Sequence, residues 1–197
     1  MEDPYRKDLT HLTWAEVYAR QEKRAPLVGP WIDALGLKPG DRVLDVGAGP
    51  GFVSMMLADR VGHTGIVYAV DRSADALAYL ERLRKERDVP QIRCIVADGA
   101  ALDAPNLSID AALVTMMLHH AEDPIGILHR LAQLLPPGGS AVLAEFLPEG
   151  SPEQGPPKDH RISPEKLQSW CKEAGLAVLD THHQSENHYM VTVRRPA

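Results

Sequence analysis

Cysteine is nearly absent: Cys94 and Cys171 are the two in 197 residues, far apart and in no CxxC pair. Neither a disulfide framework nor a sulfur-only zinc site can be built from them, and a reducing cytoplasm suits such a chain. Basic tracts are missing too. Twenty-one Lys and Arg face 27 Asp and Glu, a net charge of -6, and no run of basic residues exceeds the pair Arg194-Arg195. That balance disfavours a nucleic-acid partner held by phosphate neutralisation. The longest apolar stretch, Ala111 to Leu118, is broken by Thr115 and falls far short of a bilayer span, and the opening MEDPYRKDL is charged where an export signal would be apolar. No internal repeat is visible. Nine histidines are present without an HExxH spacing, so no metal is expected.

What is present is ordinary globular composition: 44% hydrophobic and 24% charged residues, enough for one domain with a real core. The expected layout is a helical cap over 1–36, a core over 37–146, a loop over 147–163, and a helix with two strands over 164–197. Strand-like apolar runs (Asp41 to Gly47, Gly65 to Val70, Ile92 to Ala97, Ile109 to Thr115, Ser140 to Phe146) alternate with helical patterns after Phe52, after the N-cap candidate Ser73, and from Pro124 to Leu135. Short, continuously apolar strands separated by helices mean a mostly parallel sheet covered on both faces, a doubly wound α/β fold. The tail departs from this pattern. A helix from Pro164 to Ala174 precedes two strand-like runs split by the polar turn Gln184 to Asn187, and strands joined that tightly must be antiparallel. Prolines and glycines between Pro148 and Pro164 exclude a helix or a central strand there, so this segment reads as one long loop.

The first strand ends in Gly47-Ala48-Gly49-Pro50-Gly51-Phe52, with Asp45 two residues upstream. In a doubly wound sheet ligands bind at the carboxyl ends of the strands, and glycines let the backbone approach them. A dinucleotide loop would place glycine where Phe52 stands, and a Walker A loop would supply Gly-Lys-Ser or Gly-Lys-Thr; neither pattern is met. Asp45 beside such a loop suits a ligand carrying an amine cation, the alternative being that it bonds the turn's own amides. The second strand ends in Asp71, where a carboxylate can accept ribose hydroxyls, and the third in Asp98-Gly99. Read singly, Asp71 could be a helix-cap neighbour and Asp98 an ordinary turn residue. Three acids at successive strand ends converge on one ligand.

With LDVGAGPG (44–51), VYAVDRS (67–73), ADGAAL (97–102), IDAALVTMMLHH (109–120) and LLPPGGSAVLAE (134–145), the sequence resembles the class I S-adenosylmethionine-dependent methyltransferases, above all small relatives of the ubiquinone and menaquinone biosynthesis enzymes. The resemblance implies a seven-stranded sheet of order 3-2-1-4-5-7-6 with one antiparallel strand, S-adenosyl-L-methionine as cofactor, and methyl transfer to a small-molecule acceptor. It implies that Gly47, Ala48, Gly49 and Gly51 pass beneath the methionine part, with Phe52 beside them, and that Asp45 faces the ammonium. Asp71 would hold the ribose, Arg72 would lie beside the adenine, Asp98 with Gly99 or Ala100 would bond the adenine, and the Thr115 or Met116 carbonyl would complete the ammonium site. A non-catalytic adenosyl-ligand binder and, behind it, a nicotinamide oxidoreductase are the competing expectations.

Methyl transfer from a sulfonium demands alignment and desolvation more than side-chain chemistry. His119-His120, just after the fourth strand, is the candidate for proton removal; the alternative is packing, one ring against cofactor or Phe52. Cys94 and Cys171 read as buried thiols of no catalytic use. The 148–162 loop leaves the ligand edge of the sheet and carries His160 and Arg161, placed to meet an anionic or hydroxylated acceptor. Trp14, Tyr18 and Trp31 are compatible with a helix that covers the cofactor.

Overall fold

The computed structural model describes residues 12–102 and 107–197. The first eleven residues of the expected cap and residues 103–106 of the loop before the fourth strand lie outside the described residues. The opening helical stretch divides in two: α1 (Trp14–Glu22) begins with a capping box in which the Thr13 hydroxyl accepts from the Glu16 amide and Glu16 accepts in return from Thr13, and α2 (Ala25–Leu35) starts with proline in its first turn and stops at left-handed Gly36.

There follow β1 (Arg42–Val46), α3 (Phe52–Val61), β2 (Ile66–Asp71), α4 (Ala74–Glu86), β3 (Ile92–Val96), β4 (Ala111–Thr115), α5 (Pro124–Leu134), β5 (Ser140–Phe146), α6 (Pro164–Glu173), β6 (Ala177–His183) and β7 (His188–Arg194). Ser73, Asp123 and Ser163 cap α4, α5 and α6 by accepting from amides three residues on. The sheet runs β3-β2-β1-β4-β5-β7-β6; the first five strands are parallel and β7 is antiparallel to both β5 and β6.

Each central strand alternates its side chains between two cores. Leu44, Val46, Val70, Val114 and Leu143 pack against α5 and α6 on one face. Val43, Val67, Leu113, Val142 and Ala144 pack against α2, α3 and α4 on the other. Covering both faces explains why β1, β2, β4 and β5 read as largely apolar runs, with the acids Asp45 and Glu145 near the ends of β1 and β5. β3 lies at the sheet's edge, and there Cys94 is half-buried and Val96 is 58% exposed. The loop after β5 carries one turn of 3-10 helix, Lys158–His160, so it is not wholly irregular as expected from its prolines. Among the described residues no helix is long and apolar enough to cross a membrane.

Candidate active site

The carboxyl ends of β1, β2, β4 and β5 share one edge of the sheet, and the cleft there is roofed by α1 and α2. Gln21, Arg24, Val28 and Trp31 from the cap and Asp45, Gly47, Ala48, Val53, Thr115 and Met116 from the core line a cavity of about 60 Å³. Tyr18, Val28 and Trp31 are buried, and the Trp31 indole donates to Gln184 in the β6–β7 turn, which fixes the cap against the tail hairpin. The Gln21 side chain reaches across the glycine loop and accepts from the Phe52 amide at 3.3 Å.

The glycine loop is tied to β2 by the Gly47 and Ala48 amides, which donate to the Val70 carbonyl at 2.8 and 3.0 Å. Gly47 and Gly51 have φ +76 and +91, and a Cβ would strike Met117 at the first and Leu80 at the second, so this turn admits no other residue at either place. Phe52 opens α3, buried, with its ring edge-on to Tyr18 at 5.7 Å.

Asp45 is 1% exposed and turned toward α3, where the Ser54 hydroxyl donates to it at 2.6 Å. Burial pushes its carboxyl up to about 7; the Ser54 bond opposes the shift and the charge of Asp71 adds to it. A buried carboxyl poised near neutrality becomes fully ionised when a cation arrives beside it, so Asp45 fits the ammonium group of an amino-acid ligand. Asp71 sits half-buried at the end of β2. Its two oxygens accept from the Gly49 and Ser73 amides, each at 2.8 Å, so the carboxylate joins the glycine loop to the start of α4. Exposed Asp98 accepts from the Ala100 amide at 2.8 Å. That bond commits the Ala100 amide and leaves Gly99 as the amide of the expected pair for a ligand. Exposed Arg72 stands 3.8 Å from Glu122. Thr115 is buried at the end of β4, and Met116 follows in a left-handed conformation, φ +53, that non-glycine residues rarely adopt.

The histidine pair shows what sequence reasoning missed. The His119 side chain is 2% exposed, and its Nδ1 lies 2.5 Å from Glu145 Oε2, itself in a 1% exposed side chain at the end of β5. The other Glu145 oxygen accepts from the Leu118 amide at 2.8 Å. The signal was an acid inside the apolar run SAVLAEF, next to a strand that ends in histidines. His119 stacks on His120, ring centres 4.1 Å apart, and its aromatic contact is Phe146 at 5.8 Å, not Phe52. β4 pairs with β5, which brings Phe146 alongside, while Phe52 lies beyond β1 against Tyr18.

Arg161 corrects a second expectation. It is 7% exposed, and its guanidinium donates to the carbonyls of Leu147, Ser151, Gln154 and Pro156 at 2.6–2.9 Å. The residue binds its own loop rather than an acceptor. Half-buried His160 closes the 3-10 turn just before it. Burial raises both thiols, Cys94 to about 11 and Cys171 to about 12, which removes them as nucleophiles.

The glycine loop lies beside a buried acid, with a second acid at the end of the neighbouring strand, at one edge of a seven-stranded sheet. Residues 43–139 match the family model of a methyltransferase domain. The chain is 31% identical over 185 residues to the ubiquinone biosynthesis O-methyltransferase of Paracidovorax citrulli, covering 82% of this chain and 74% of that one. It is 27% identical over 173 residues to the ubiquinone/menaquinone biosynthesis C-methyltransferase UbiE of Xanthomonas oryzae, covering 74% and 68%. Of some other curated relatives it spans under half the length. A SAM dependent methyltransferase from Aquifex aeolicus has the same fold, with a TM-score of 0.84 at 21% identity over 93% of this chain and 99% of that one. The chain belongs to the class I S-adenosylmethionine-dependent methyltransferases, among relatives of the quinone-biosynthesis enzymes.

Proposed function

We propose that the enzyme methylates an ionisable ring oxygen, or a carbon activated by one, of a small phenol- or quinol-like acceptor, with His119 as general base and Glu145 as the residue that positions it. The buried Glu145–His119 pair carries this reading. A carboxylate on Nδ1 fixes the tautomer and stabilises the imidazolium, so that Nε2 is the nitrogen to take the acceptor's proton. The relatives named for O- and C-methylation in quinone biosynthesis support the acceptor class.

In this reading S-adenosylmethionine supplies a methyl group on a sulfonium sulfur, which leaves as a neutral thioether when the acceptor's electron pair takes the methyl. Gly47, Ala48, Gly49 and Gly51 give the cofactor a close-fitting floor beside Phe52, and Asp45 and the Thr115 or Met116 carbonyl meet its ammonium. Asp71 holds its ribose; Arg72, Asp98 and the Gly99 amide flank its adenine. Trp31 and the cap exclude water, which strengthens each of these interactions. His160, at the mouth of the loop, lines the acceptor's side. The reaction belongs to the cytoplasm.

The test is a screen of hydroquinones and naphthols for labelled-methyl transfer, followed by kcat/KM against pH for wild type and His119→Ala. The wild-type rate should fall as pH drops and the base takes up a proton, and the variant should lose about 10²–10⁴ in rate with S-adenosylhomocysteine binding intact. A pH-flat wild-type rate would remove His119 from the chemistry and leave it a packing role.

A further inference from the structure

Arg24 is the residue that precedes α2, and its side chain lines the cleft with Trp31, Asp45, Gly47, Thr115 and Met116. Its guanidinium carbon lies 5.5 Å from the centre of the Phe146 ring, and His119 meets the same ring at 5.8 Å. Among the described residues Arg24 forms no ion pair and its guanidinium donates no hydrogen bond. Other arginines withdrawn from solvent are satisfied: Arg161 by four carbonyls, Arg130 by the Leu102 carbonyl, Arg84 by Glu81 and Arg195 by the Gln133 and Leu135 carbonyls. A half-buried guanidinium without a counter-charge is held at a cost that an anionic partner removes. Loss of water destabilises the charged form, the nearby Arg20 adds to that, and Glu145 opposes it from beyond contact.

The position says which anion. Arg24 stands over β5 and beside His188 of β7, whose imidazole is pushed down to about 4 by burial and by the charges of Arg24 and Arg161. In the sheet β5 is two strands from β1, whose end carries Asp45 and the glycine loop. The charge therefore meets the His119–Glu145 side of the cleft at Phe146, while the cavity it lines extends to Asp45 and Gly47. We propose that Arg24 binds an anionic oxygen of the methyl acceptor, a carboxylate or an ionised ring hydroxyl, and so restricts the enzyme to acidic acceptors. This rests on the reading that the acceptor lies over β4 and β5.

Calorimetric titration of the protein, with and without S-adenosylhomocysteine, would use three probes: benzoate for a carboxylate, para-nitrophenolate for an ionised hydroxyl, and benzamide as the neutral control. At least one anion should bind about tenfold or more tightly than benzamide, and which one does so identifies the source of the charge. Arg24→Gln should abolish the preference and leave S-adenosylhomocysteine affinity within about twofold; Arg24→Lys, which keeps the charge but not the planar fork, should retain part of it and guards against a folding defect in the first variant. Anion binding no tighter than that of benzamide, absence of binding to all three included, overturns the proposal. So does a loss of S-adenosylhomocysteine affinity in Arg24→Gln with the anion preference kept, which would give the charge to the cofactor. An Arg24-dependent anion preference in a protein that fails to bind S-adenosylhomocysteine would uphold the anchor while removing the methyl-transfer reading.

Discussion

The two halves of the cleft are built by opposite strategies. On the β1–β3 side each polar group belongs to a strand end and its adjoining turn: Asp45 before the glycine loop, Asp71 before the cap of α4, Asp98 in the turn after β3. On the β4–β5 side the groups come from four distant segments: Arg24 from the cap, His119 from the turn after β4, Glu145 and Phe146 from β5, and His188 from β7. Local construction gives a row of carboxylates that accept from nearby amides and a hydroxyl. Assembly from distant segments gives a mixed set of base, acid, cation and ring, each of which can change without disturbing the others. One half is suited to hold a ligand and the other to choose and activate one.

If that division is right, substitutions on the two sides should separate turnover from cofactor affinity. The largest effect is expected from Glu145→Gln. Loss of the charge that orients His119 and stabilises its protonated form should lower kcat by about 10²–10⁴ while S-adenosylhomocysteine affinity, read by calorimetry, stays within about twofold. Equal losses in both would mean that the two halves form one site.

Arg161→Ala should be next. It leaves the Pro156 carbonyl, enclosed with the buried guanidinium, without a donor and the Leu147 carbonyl with the Gly150 amide alone, and should cost roughly 2–4 kcal/mol in urea unfolding, with turnover affected more than cofactor binding. A loss well under 1 kcal/mol would show that the 148–162 loop folds without its staple.

The same contrast governs what could be read before the fold was known. Strand–helix alternation and the carboxylates of β1–β3 were legible because each rests on a local pattern, an apolar run, a cap or an acid before a turn, whereas the sheet order followed only from the family resemblance. The partner of His119 was not, although Glu145 announced itself as an acid in an apolar strand, because which strand lies beside β4 is a property of the sheet. The choice between the chain's two phenylalanines failed for that reason. Arg161 was misplaced because a guanidinium that gathers four carbonyls from residues 147–156 looks, in sequence, like any charged loop residue. Arg24 carried no signal: it stands between two helices in the stretch Lys23-Arg24-Ala25-Pro26, outside any periodic pattern.

On the binding side, Asp71→Ala removes a carboxylate that links the glycine loop to α4 and is proposed to hold the ribose. S-adenosylhomocysteine affinity should fall by at least about tenfold, the equivalent of one charge-assisted hydrogen bond. Unchanged affinity would sink the ribose assignment and leave Asp71 a purely structural link.

The smallest effect concerns pH and belongs to Asp45. Its carboxyl is raised from the usual range to about 7 by burial, so the free protein holds a proton there that the unfolded chain has already lost. The contribution of this group to the stability of the free protein is therefore complete below the ordinary aspartate pKa and declines as pH rises toward 7. Cofactor binding has the opposite sign, because the ammonium favours the ionised carboxylate and must displace the proton when it is present. Affinity for S-adenosylhomocysteine should thus weaken as pH falls below 7, by up to about tenfold per unit, with proton release on binding seen as a buffer-dependent heat. The α-amino group of the ligand titrates near 8, so the window from about pH 5 to 7 isolates the protein's own group. Asp45→Asn should bind more weakly at pH 7 and lose the dependence. A wild-type affinity flat across this window would mean that Asp45 stays ionised with the cofactor absent, satisfied by Ser54 and the turn, and would move the ammonium's main partner to the end of β4.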